Sequence, residues 1–503
     1  MCGIGAIYFK SRVDLDILER AISQTELRGR DAFGIYHFKN GKLVDAFKVI
    51  GSFSDHTNSE GWKEFKSKVG IGSLLIWNNR AHPLPEELKV VQPIEYDGVV
   101  VAHNGTINND KLLLEQEFNN EVEIEPWVDT HILPLLYRKY NDWKIALSKI
   151  EGGVAAIAYD TKKPNELVLI KNFKPLSWAQ KDGILLVVSE VETIPYILGD
   201  QNNVYENYIV EWVKPYTLIT INLETGEIKR EEFQSKHAAH RHALPLPSED
   251  IAVVMCSGGL DSSTAAFVAC KVHKRKKVYL VNFNYGQRSA DREWEAVRKL
   301  ADQLRSEGYN VEAVRMDARW LGRLGKSPLT DRTIELPKEV DSVESTKCWV
   351  PARNLVFLSY LAAFCEAVGA KYIYTGINLE ESGSYPDNDI EAYRMANLLL
   401  DYYTLGRVKL VMVLERLMKY EIVTLGYHLG LDYSYTWSCD EGYEKPCGVC
   451  GCCWTRQHAL RKAGIPDKQE YLNKPSRPAP WLGKETVKKP DINKILRAVM
   501  EVH

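Results

Sequence analysis

The sequence predicts two folded domains, an α+β domain followed by an α/β domain built on a parallel sheet. At 503 residues the chain is long enough for more than one domain of roughly 150 residues each. Its first part is rich in short apolar runs bounded by Gly, Asn or Asp, a pattern typical of antiparallel strands. After Ile251 strand patterns alternate with helical patterns, and this alternation is typical of a parallel sheet.

The α+β prediction depends on strands that are separated by few helices. The predicted strands are Gly5–Phe9, Ile71–Ile76, Val99–Ala102, Val154–Tyr159, Leu167–Ile170, Ile184–Val188 and Leu218–Leu223. The spacing of apolar residues predicts helices at Leu15–Glu26 and Asp129–Tyr140. The segment Leu223-Glu224-Thr225-Gly226-Glu227-Ile228 predicts a hairpin turn, which favours antiparallel pairing.

A segment without apolar periodicity separates the two domains. Gln234–Asp250 contains several His and Pro residues and is interpreted as a linker. We therefore predict an α+β domain at residues 1–233, a linker at 234–249, an α/β domain at 250–475 and a Pro/Lys-rich tail at 476–503. The linker histidines have no Cys or carboxylate among them, so a solvated segment is favoured over a metal site.

The α/β domain is predicted from alternating elements. Strands are expected at Ile251–Met255, Lys277–Asn282, Val311–Met316 and Lys371–Thr375, and helices at Ser262–Lys271, Asp291–Glu307 and Asn354–Val368. A further short helix is expected near Ile492–Val502. This order indicates a doubly wound sheet.

Composition and charge exclude several classes of protein. The apolar fraction of 45% and the net charge of −3 exclude global disorder and give no overall signal of nucleic-acid binding. No apolar run approaches the roughly 18 residues of a membrane span, so no membrane partner is expected. The N-terminus does not have the layout of a secretory signal, and a cytoplasmic location is the default expectation.

The chain begins Met1-Cys2-Gly3, which predicts a possible N-terminal nucleophile. Removal of Met1 would leave a thiol and an α-amine on the same residue. The amine has a pKa near 8 in model compounds and can serve as the general base for the thiol. Alone this signal is weak, because most cysteines at position 2 are accidental.

Further motifs follow Cys2 in order and carry a family resemblance. They are Arg28-Gly29-Arg30-Asp31, Asn79-Arg80-Ala81-His82, Gln92-Pro93, His103-Asn104-Gly105-Thr106 and Val128-Asp129-Thr130. Together they resemble the class II glutamine amidotransferases over residues 2 to about 200. The resemblance implies an N-terminal nucleophile fold, a four-layer αββα sandwich of two antiparallel sheets.

The same resemblance assigns roles to individual residues. Cys2 would attack the amide of glutamine, and the Asn104 side chain with the Gly105 N–H would form the oxyanion hole. Arg80 would bind the α-carboxylate of glutamine and Asp129 its α-ammonium group. The family often has Pro-Asp after Arg-Gly where this chain has Arg30-Asp31, so closure of the glutamine pocket can differ.

A second motif follows the first predicted strand of the α/β domain. Glycines let backbone N–H groups approach a phosphate, and the following helix N-terminus adds positive charge. The loop resembles that of the PP-loop ATP pyrophosphatases, which have a nucleotide α-hydrolase-like parallel sheet. The resemblance implies that ATP and Mg²⁺ bind here, with Asp261 linked to magnesium. The matching residues are Ser257, Gly258, Gly259, Leu260, Asp261, Ser262 and Ser263.

The remainder of the α/β domain distinguishes two families that combine these domains. Asparagine synthetase B shares Cys2 and the same serine-glycine loop. Residues 251 to about 465, however, resemble 7-cyano-7-deazaguanine synthase, through Asn282–Arg288, Val350–Asn354, Ser384–Asp387 and Thr436–Cys439. Candidate acceptor-binding residues on these motifs are Gln287, Arg288, Arg353, Asn354, Tyr385 and Asp387.

Cysteine spacing gives the strongest metal signal. Cys439, Cys447, Cys450 and Cys453 can close a tetrahedral zinc site with no open position, which predicts a structural role. Cys452 breaks the spacing and is the spare thiol. The 7-deazaguanine family has this site, whereas asparagine synthetase does not.

The complete arrangement resembles fused enzymes associated with archaeosine formation. The leading hypothesis is transfer of glutamine-derived ammonia to 7-cyano-7-deazaguanine in tRNA, giving a formamidino group. The alternative is ATP-dependent formation of 7-cyano-7-deazaguanine from the free 7-carboxy base. A DNA base, asparagine synthetase-like amidation and a degenerate nucleic-acid-binding protein remain less favoured. A homo-oligomer is also expected.

Overall fold

The fold is described by a computed structural model, which covers residues 2–81, 87–199, 209–233, 244–337, 348–380, 386–404, 406–473 and 490–500. The chain divides into two compact units, Met1–His242 and Ala243–His503. Tyr385 and most of the predicted linker and tail lie outside the described residues. Within the described ranges, no helix combines the length and apolar composition needed to cross a membrane.

The first unit is formed mainly by strands. They are β1 Gly3–Phe9, β2 Ala32–Lys39, β3 Lys42–Ile50, β4 Ser73–Arg80, β5 Ile94–Tyr96, β6 Val99–Ile107, β7 Gly152–Asp160, β8 Glu166–Lys171, β9 Ser177–Lys181, β10 Ile184–Val188, β11 Ile209–Trp212, β12 Thr217–Asn222 and β13 Ile228–Glu232. The helices are α1 Leu15–Glu26, α2 Glu60–Ser67, α3 Asp110–Phe118, α4 Ile132–Tyr140, α5 Trp143–Lys149 and α6 Ile194–Ile197.

Two antiparallel sheets form the centre of this unit. One has the order β11-β9-β10-β1-β4-β2-β3 and the other β13-β12-β8-β7-β6-β5. Apolar side chains of both sheets, including Ile4, Ile76, Val100 and Ile157, pack together in one core cluster. The inner face of each sheet is therefore buried against the other.

Helices cover the two outer faces. Ile17, Leu18 and Ile22 of α1 pack with Trp62 of α2 against the first sheet. Helix α4 buries Leu133 and Leu136 and packs on β5 and β6 of the second sheet. The predicted αββα arrangement is confirmed.

Local sequence explains where the first helix begins. The Asp14 carboxylate accepts a hydrogen bond from the backbone N–H of Ile17 at 3.2 Å, which satisfies one free donor at the helix N-terminus. The predicted boundaries of this helix are confirmed. The helix predicted at Asp129–Tyr140 is instead a short 3₁₀ turn, Asp129–His131, followed by α4.

The second unit contains a parallel sheet flanked by helices. Its strands are β14 Ser248–Met255, β15 Lys277–Asn284, β16 Val311–Asp317, β17 Ala370–Tyr374 and β18 Lys409–Val411, in the order β16-β15-β14-β17-β18. Its helices are α7 Leu260–Phe267, α8 Ala290–Ser306, α9 Arg353–Val368, α10 Ile390–Tyr403, α11 Lys419–His428, α12 Gly451–Ala463 and α13 Ile492–Met500. All strand pairs are parallel, so the predicted doubly wound sheet is confirmed.

Two apolar clusters cover the faces of this parallel sheet. One joins α7 and α8 to Val254 and Leu280, and includes Ile495 and Val499 of α13. The other joins α9 and α10 to Val253 and Ile373. Helices cover both faces of this sheet, so a ligand can reach it at the carboxyl ends of the strands. We therefore expect the functional loops to follow those strand ends.

Candidate active sites

The first candidate site lies at one end of the two antiparallel sheets, where Cys2 precedes β1. The residue after it, Gly3, pairs with Asn79 of β4, and this register brings Cys2 to the sheet edge where Arg80 ends β4. The Arg28 Nε donates to the backbone oxygen of Cys2 at 3.2 Å, and the Arg28 guanidinium pairs with Glu190. Cys2 is held in place but remains partly exposed.

Asn104 is a buried amide that uses none of its hydrogen-bonding capacity. Its Nδ2 and Oδ1 atoms are buried and have no hydrogen-bond partner among the described residues. An unsatisfied buried polar group costs roughly 1–3 kcal/mol, so a reacting group or ligand that uses it is the physical explanation. A donor of this kind suits an oxyanion formed during attack on an amide.

Gly105 follows at a position that only glycine can occupy. Its φ is +149°, and a Cβ placed there would lie 1.8 Å from the backbone oxygen of Gly153. Any side chain would therefore push β6 away from β7. The close approach fixes the backbone next to the Asn104 amide.

A hydrogen-bond network fixes the strand immediately before Asn104. The Gln92 Oε1 accepts from the His103 backbone N–H at 2.6 Å and from Asn78 Nδ2 at 3.1 Å, and Gln92 Nε2 donates to Thr130 Oγ at 2.9 Å. Burial lowers the pKa of His103, so its ring is neutral at pH 7. Gln92, His103 and Thr130 belong to the motifs recognised in the sequence, whereas Asn78 does not and was missed.

The two predicted glutamine-binding residues lie at neighbouring strand ends. Arg80 ends β4, and its Nη1 donates to the Val90 oxygen at 2.8 Å. The Asp129 Oδ2 accepts from the Ile107 N–H at 2.9 Å, at the end of β6. The Asn78 side chain, two residues before Arg80, donates at 3.0 Å to the backbone oxygen of His103, the residue before Asn104 in β6. The fold therefore gathers these candidates at one end of the sandwich.

The second candidate site is the loop between β14 and α7. Gly258 has a φ of +77°, and a Cβ there would lie 2.7 Å from the Ala296 Cβ, so the loop passes too close to α8 for a side chain. No side chain caps α7, whose N-cap is Gly259. The first backbone N–H groups of the helix are therefore available to an anion.

The serines of this loop organise its backbone. The Ser262 Oγ accepts from the Ser257 N–H at 3.2 Å, and the two hydroxyl oxygens are also 3.2 Å apart. The Ser263 hydroxyl is buried and has no hydrogen-bond partner in the described part of the chain. Trp437 donates its backbone N–H to the Gly258 oxygen at 2.8 Å, which links the loop to the segment that carries the cysteines.

A lysine that sequence reasoning missed lies beside this loop. Lys419 begins α11, is largely buried, and places its Nζ 3.4 Å from the Asp261 Oδ2. Its backbone N–H donates to Glu380 Oε1 at 2.9 Å. The loop has no lysine of its own, and the fold supplies one from a distant segment. No local pattern in the sequence indicates this pairing.

The acceptor-binding candidates divide into two groups. Gln287 is buried, with Oε1 accepting from the Tyr285 N–H at 2.9 Å and Nε2 donating to Phe283 O and Glu293 Oε2, each at 3.0 Å. The Arg288 side chain is 8% exposed, and its Nη1 pairs with Glu441 at 3.1 Å. Both side chains are held by the protein itself, so they can support a site but are poorly placed to contact a ligand.

Arg353, Asn354 and Asp387 form the other group. The Arg353 Nη1 donates to the Tyr285 hydroxyl at 3.3 Å, and the Asn354 N–H donates to Asp387 Oδ2 at 3.1 Å. Arg353 is partly exposed, and its guanidinium lies over the Tyr285 ring at 5.5 Å. Tyr285 therefore links this group to Gln287.

The four predicted metal ligands come together as a compact cluster. The Sγ atoms of Cys439, Cys447, Cys450 and Cys453 all lie within 4.8 Å of one another, and all four residues are buried. A tetrahedral Zn–S distance of about 2.3 Å gives a sulfur–sulfur edge of about 3.8 Å. The 3.9 Å separation of Cys447 Sγ and Cys453 Sγ matches this edge. The cluster can hold a metal ion, and Cys452 is exposed outside it.

Backbone donors stabilise the sulfurs of this cluster. The N–H groups of Cys447, Cys450 and Cys453 donate to the Sγ atoms of Cys439, Cys447 and Cys450 at 3.3, 3.3 and 3.4 Å. Such donors favour thiolates, which are the form that ligates metal.

Comparison with protein families assigns both units. The family described as Queuosine biosynthesis protein QueC matches residues 251–464, and the family described as Glutamine amidotransferase domain matches residues 83–195. Both resemblances predicted from the sequence are confirmed by these matches.

Individual relatives show two different extents of similarity. A 7-cyano-7-deazaguanine synthase of Saccharolobus solfataricus is 33% identical over 94% of this chain and 99% of its own length. A protein of the same name from Methanothermobacter thermautotrophicus is 39% identical, covering 98% of its own length but 44% of this chain. A solved glutamine phosphoribosylpyrophosphate amidotransferase from B. subtilis aligns with a TM-score of 0.38 at 15% identity, over 84% of this chain and 92% of that one.

Proposed function

The chain belongs to the family of 7-cyano-7-deazaguanine synthases, and from this membership we propose that it transfers ammonia from glutamine to the C7 substituent of a 7-deazaguanine. Glutamine is hydrolysed in the first unit and nitrogen is transferred in the second. The support is that each unit matches the family for its half of the reaction and carries a site with suitable chemistry.

In the proposed glutaminase reaction the Cys2 sulfur attacks the amide carbon of glutamine. The α-amine of Cys2 accepts the thiol proton and returns it to the leaving ammonia. Asn104 Nδ2 and the Gly105 N–H bind the oxyanion, an assignment supported by the unpaired, buried Asn104 amide. Arg80 binds the α-carboxylate of glutamine and Asp129 its α-ammonium group. Water then releases glutamate from the thioester.

In the second unit we propose that the loop from Ser257 to Ser263 binds the phosphates of ATP. The uncapped N-terminus of α7 and the Lys419 ammonium supply positive charge, and Asp261 holds Mg²⁺. The four buried cysteines hold Zn²⁺ in a structural role, since four sulfurs leave no position open for substrate.

For the acceptor we propose 7-cyano-7-deazaguanine in tRNA, with the formamidino group of archaeosine as the product. The observation that carries this choice is the additional glutaminase. Relatives named 7-cyano-7-deazaguanine synthase include one matched over 98% of its own length by 44% of this chain and one matched by 94% of this chain. The fused arrangement resembles that of enzymes associated with archaeosine formation, and this resemblance favours the amidine. Addition of ammonia to a nitrile gives an amidine directly.

A second candidate is favoured by the phosphate loop and by the names of the relatives that match the whole chain. It is formation of 7-cyano-7-deazaguanine from the free 7-carboxy base. Conversion of a carboxylate to a nitrile removes two oxygens and needs two activations, so a complete ATP loop suits it. Addition to a nitrile formally needs no ATP, and in that case the loop serves a structural or gating role.

A single comparison of acceptors separates the two candidates. The purified chain is supplied with glutamine and ATP and offered free 7-carboxy-7-deazaguanine or tRNA that contains 7-cyano-7-deazaguanine. We expect mass spectrometry to detect the amidine in tRNA and little nitrile from the free acid. Nitrile formation with unchanged tRNA would establish the second candidate.

We also propose that the chain forms a homo-oligomer. Met395, Leu399 and Tyr403 of α10 expose large apolar surfaces, which are typical of faces that pack against another chain. Sedimentation at micromolar concentration tests this, and a monomer would contradict it.

A further inference from the structure

The second unit contains a deep carboxylate that the sequence motifs did not single out. Glu293 lies in the first turns of α8, and its backbone oxygen would be 3.1 Å from a Cβ placed on Gly258. The start of α8 is therefore adjacent to the phosphate loop. Glu293 is partly exposed.

This carboxylate is held rigidly by neighbouring donors. The Ser289 hydroxyl donates to Glu293 Oε1 at 2.6 Å, and Gln287 Nε2 donates to Oε2 at 3.0 Å. Each carboxylate oxygen has two lone pairs, so these bonds fix the orientation without using the whole acceptor capacity. Gln287, a predicted acceptor-binding residue, thus serves to position Glu293.

A cation, Arg353, is connected to Glu293 through Tyr285 and Gln287. The Tyr285 hydroxyl accepts from Arg353 Nη1 at 3.3 Å and its backbone N–H donates to Gln287, whose Nε2 donates to Glu293. Burial raises the pKa of Glu293, and the hydrogen bonds from Ser289 and Gln287 and the charge of Arg353 oppose that rise. Arg353 lies over the Tyr285 ring, and Tyr285 packs on Phe357 with ring centroids 5.7 Å apart. Tyr285 and Phe357 are buried, so this aromatic pair fixes the position of Arg353, and the two charged groups are left to meet the edge of a planar heterocycle.

The edge of a guanine-type base has matching chemistry. Its N1–H and 2-amino group donate two parallel hydrogen bonds, which a carboxylate can accept together, and its 6-oxo group accepts from a cation. Resting on the function proposed above, we propose that Glu293 recognises the N1–H and 2-amino edge of the 7-deazaguanine acceptor, with Arg353 facing the 6-oxo group. Glu293 is thus a specificity-determining residue for the acceptor base.

Binding of two free bases to the full chain tests this assignment. The probes are 7-cyano-7-deazaguanine and its counterpart without the 2-amino group, titrated calorimetrically. We expect the unmodified protein to bind the 2-amino probe about tenfold more tightly, in line with the discrimination that paired hydrogen bonds give. Glu293→Gln should reduce this preference to near unity. Glu295→Gln, on the same helix and facing Lys299, should leave it unchanged.

Each outcome bears on a different claim. If the unmodified protein binds both probes equally, or Glu293→Gln keeps the preference, the role of Glu293 is wrong while the proposed acceptor class stands. If neither free base binds, the recognition of the base by Glu293 is wrong, whereas the acceptor class is decided separately by the comparison of free base and tRNA described above. Should Glu293→Gln fail to fold, Glu293→Asp decides. Its shortened carboxylate should lose most of the preference, and full retention would overturn the role.

Discussion

At the scale of single residues, the two sites share one physical feature, which is polar groups whose capacity the protein itself leaves unused. The Asn104 amide and the Ser263 hydroxyl are buried without hydrogen-bond partners among the described residues. Folding alone gives no reason to keep such groups, because each is costly to bury. The proposed reaction uses each of them as a donor, Asn104 for the oxyanion formed on glutamine and Ser263 within the phosphate loop.

Asp261 is the residue whose replacement separates the two halves of the reaction. Its carboxylate lies 3.4 Å from Lys419 Nζ, and the proposal gives it the magnesium of a bound phosphate group. Asp261→Asn removes a charged interaction worth about 1.5–3 kcal/mol, so the affinity for magnesium pyrophosphate should fall roughly tenfold or more. Calorimetric titration with magnesium pyrophosphate measures this.

The glutaminase provides the internal control for that variant. Glutamate release by Asp261→Asn should be unchanged, and Asp291→Asn, on the exposed first turn of α8, should bind pyrophosphate normally. Where ATP is consumed, AMP and pyrophosphate are the expected products. ADP and phosphate would reject the assignment of the loop.

At the scale of elements, only part of the fold was predicted from local patterns: the exposed strand β3 was missed, and so was β2, although it is largely buried. The helix at Leu15–Glu26 and the strands that carry Asn104 and precede the phosphate loop were predicted from sequence. Strand β3 was missed because it is largely exposed and so has no clear apolar alternation. Its pairing with β2 is a local hairpin closed by Asn40-Gly41, both with positive φ, and this short-range turn signal was not recognised.

The same limit applies to the sites. Cys2, Asn104 and the phosphate loop belong to compact motifs that can be recognised in one stretch of chain. Lys419 and Glu293 do not, since their relation to the loop exists only after α11 and α8 pack around it. Gln287 was recognised as part of a motif, but its role as a support for Glu293 depends on a hydrogen bond that sequence spacing does not specify.

The cysteine cluster is the element whose stability is tested most simply. Structural zinc contributes on the order of 10 kcal/mol of apparent folding free energy in small domains. Cys450→Ser removes a buried ligand, so the zinc content should fall from about one per chain towards zero, with a clear loss of thermal stability. Metal analysis and thermal unfolding measure both.

Cys452 supplies a matched control for this prediction. It lies on the same segment but is exposed and outside the cluster. Cys452→Ser should therefore retain zinc and unfold at nearly the temperature of the unmodified protein. A Cys450→Ser chain without zinc that is equally stable would show that the metal has no structural role.

At the scale of the whole molecule, the chain joins two sites of complementary chemistry. In the proposed function the first site releases ammonia from glutamine, and the second binds ATP and the 7-deazaguanine acceptor. The conjugate acid of ammonia has a pKa above 9 in water, so ammonia released into solution at pH 7 is protonated and loses its nucleophilicity. Production and use of ammonia by one protein would allow its transfer before this protonation. We therefore predict that glutamine is the nitrogen source, and that Cys2 is required when glutamine supplies the nitrogen but not when free ammonium does.

Isotope transfer tests this central claim most directly. The chain is supplied with glutamine labelled with ¹⁵N at the amide, together with ATP and the 7-deazaguanine acceptor, and the product base is analysed by mass spectrometry. We predict a product heavier by one mass unit, and no product from Cys2→Ala unless ammonium is added. Incorporation of unlabelled nitrogen, or labelled product from Cys2→Ala, would contradict the account.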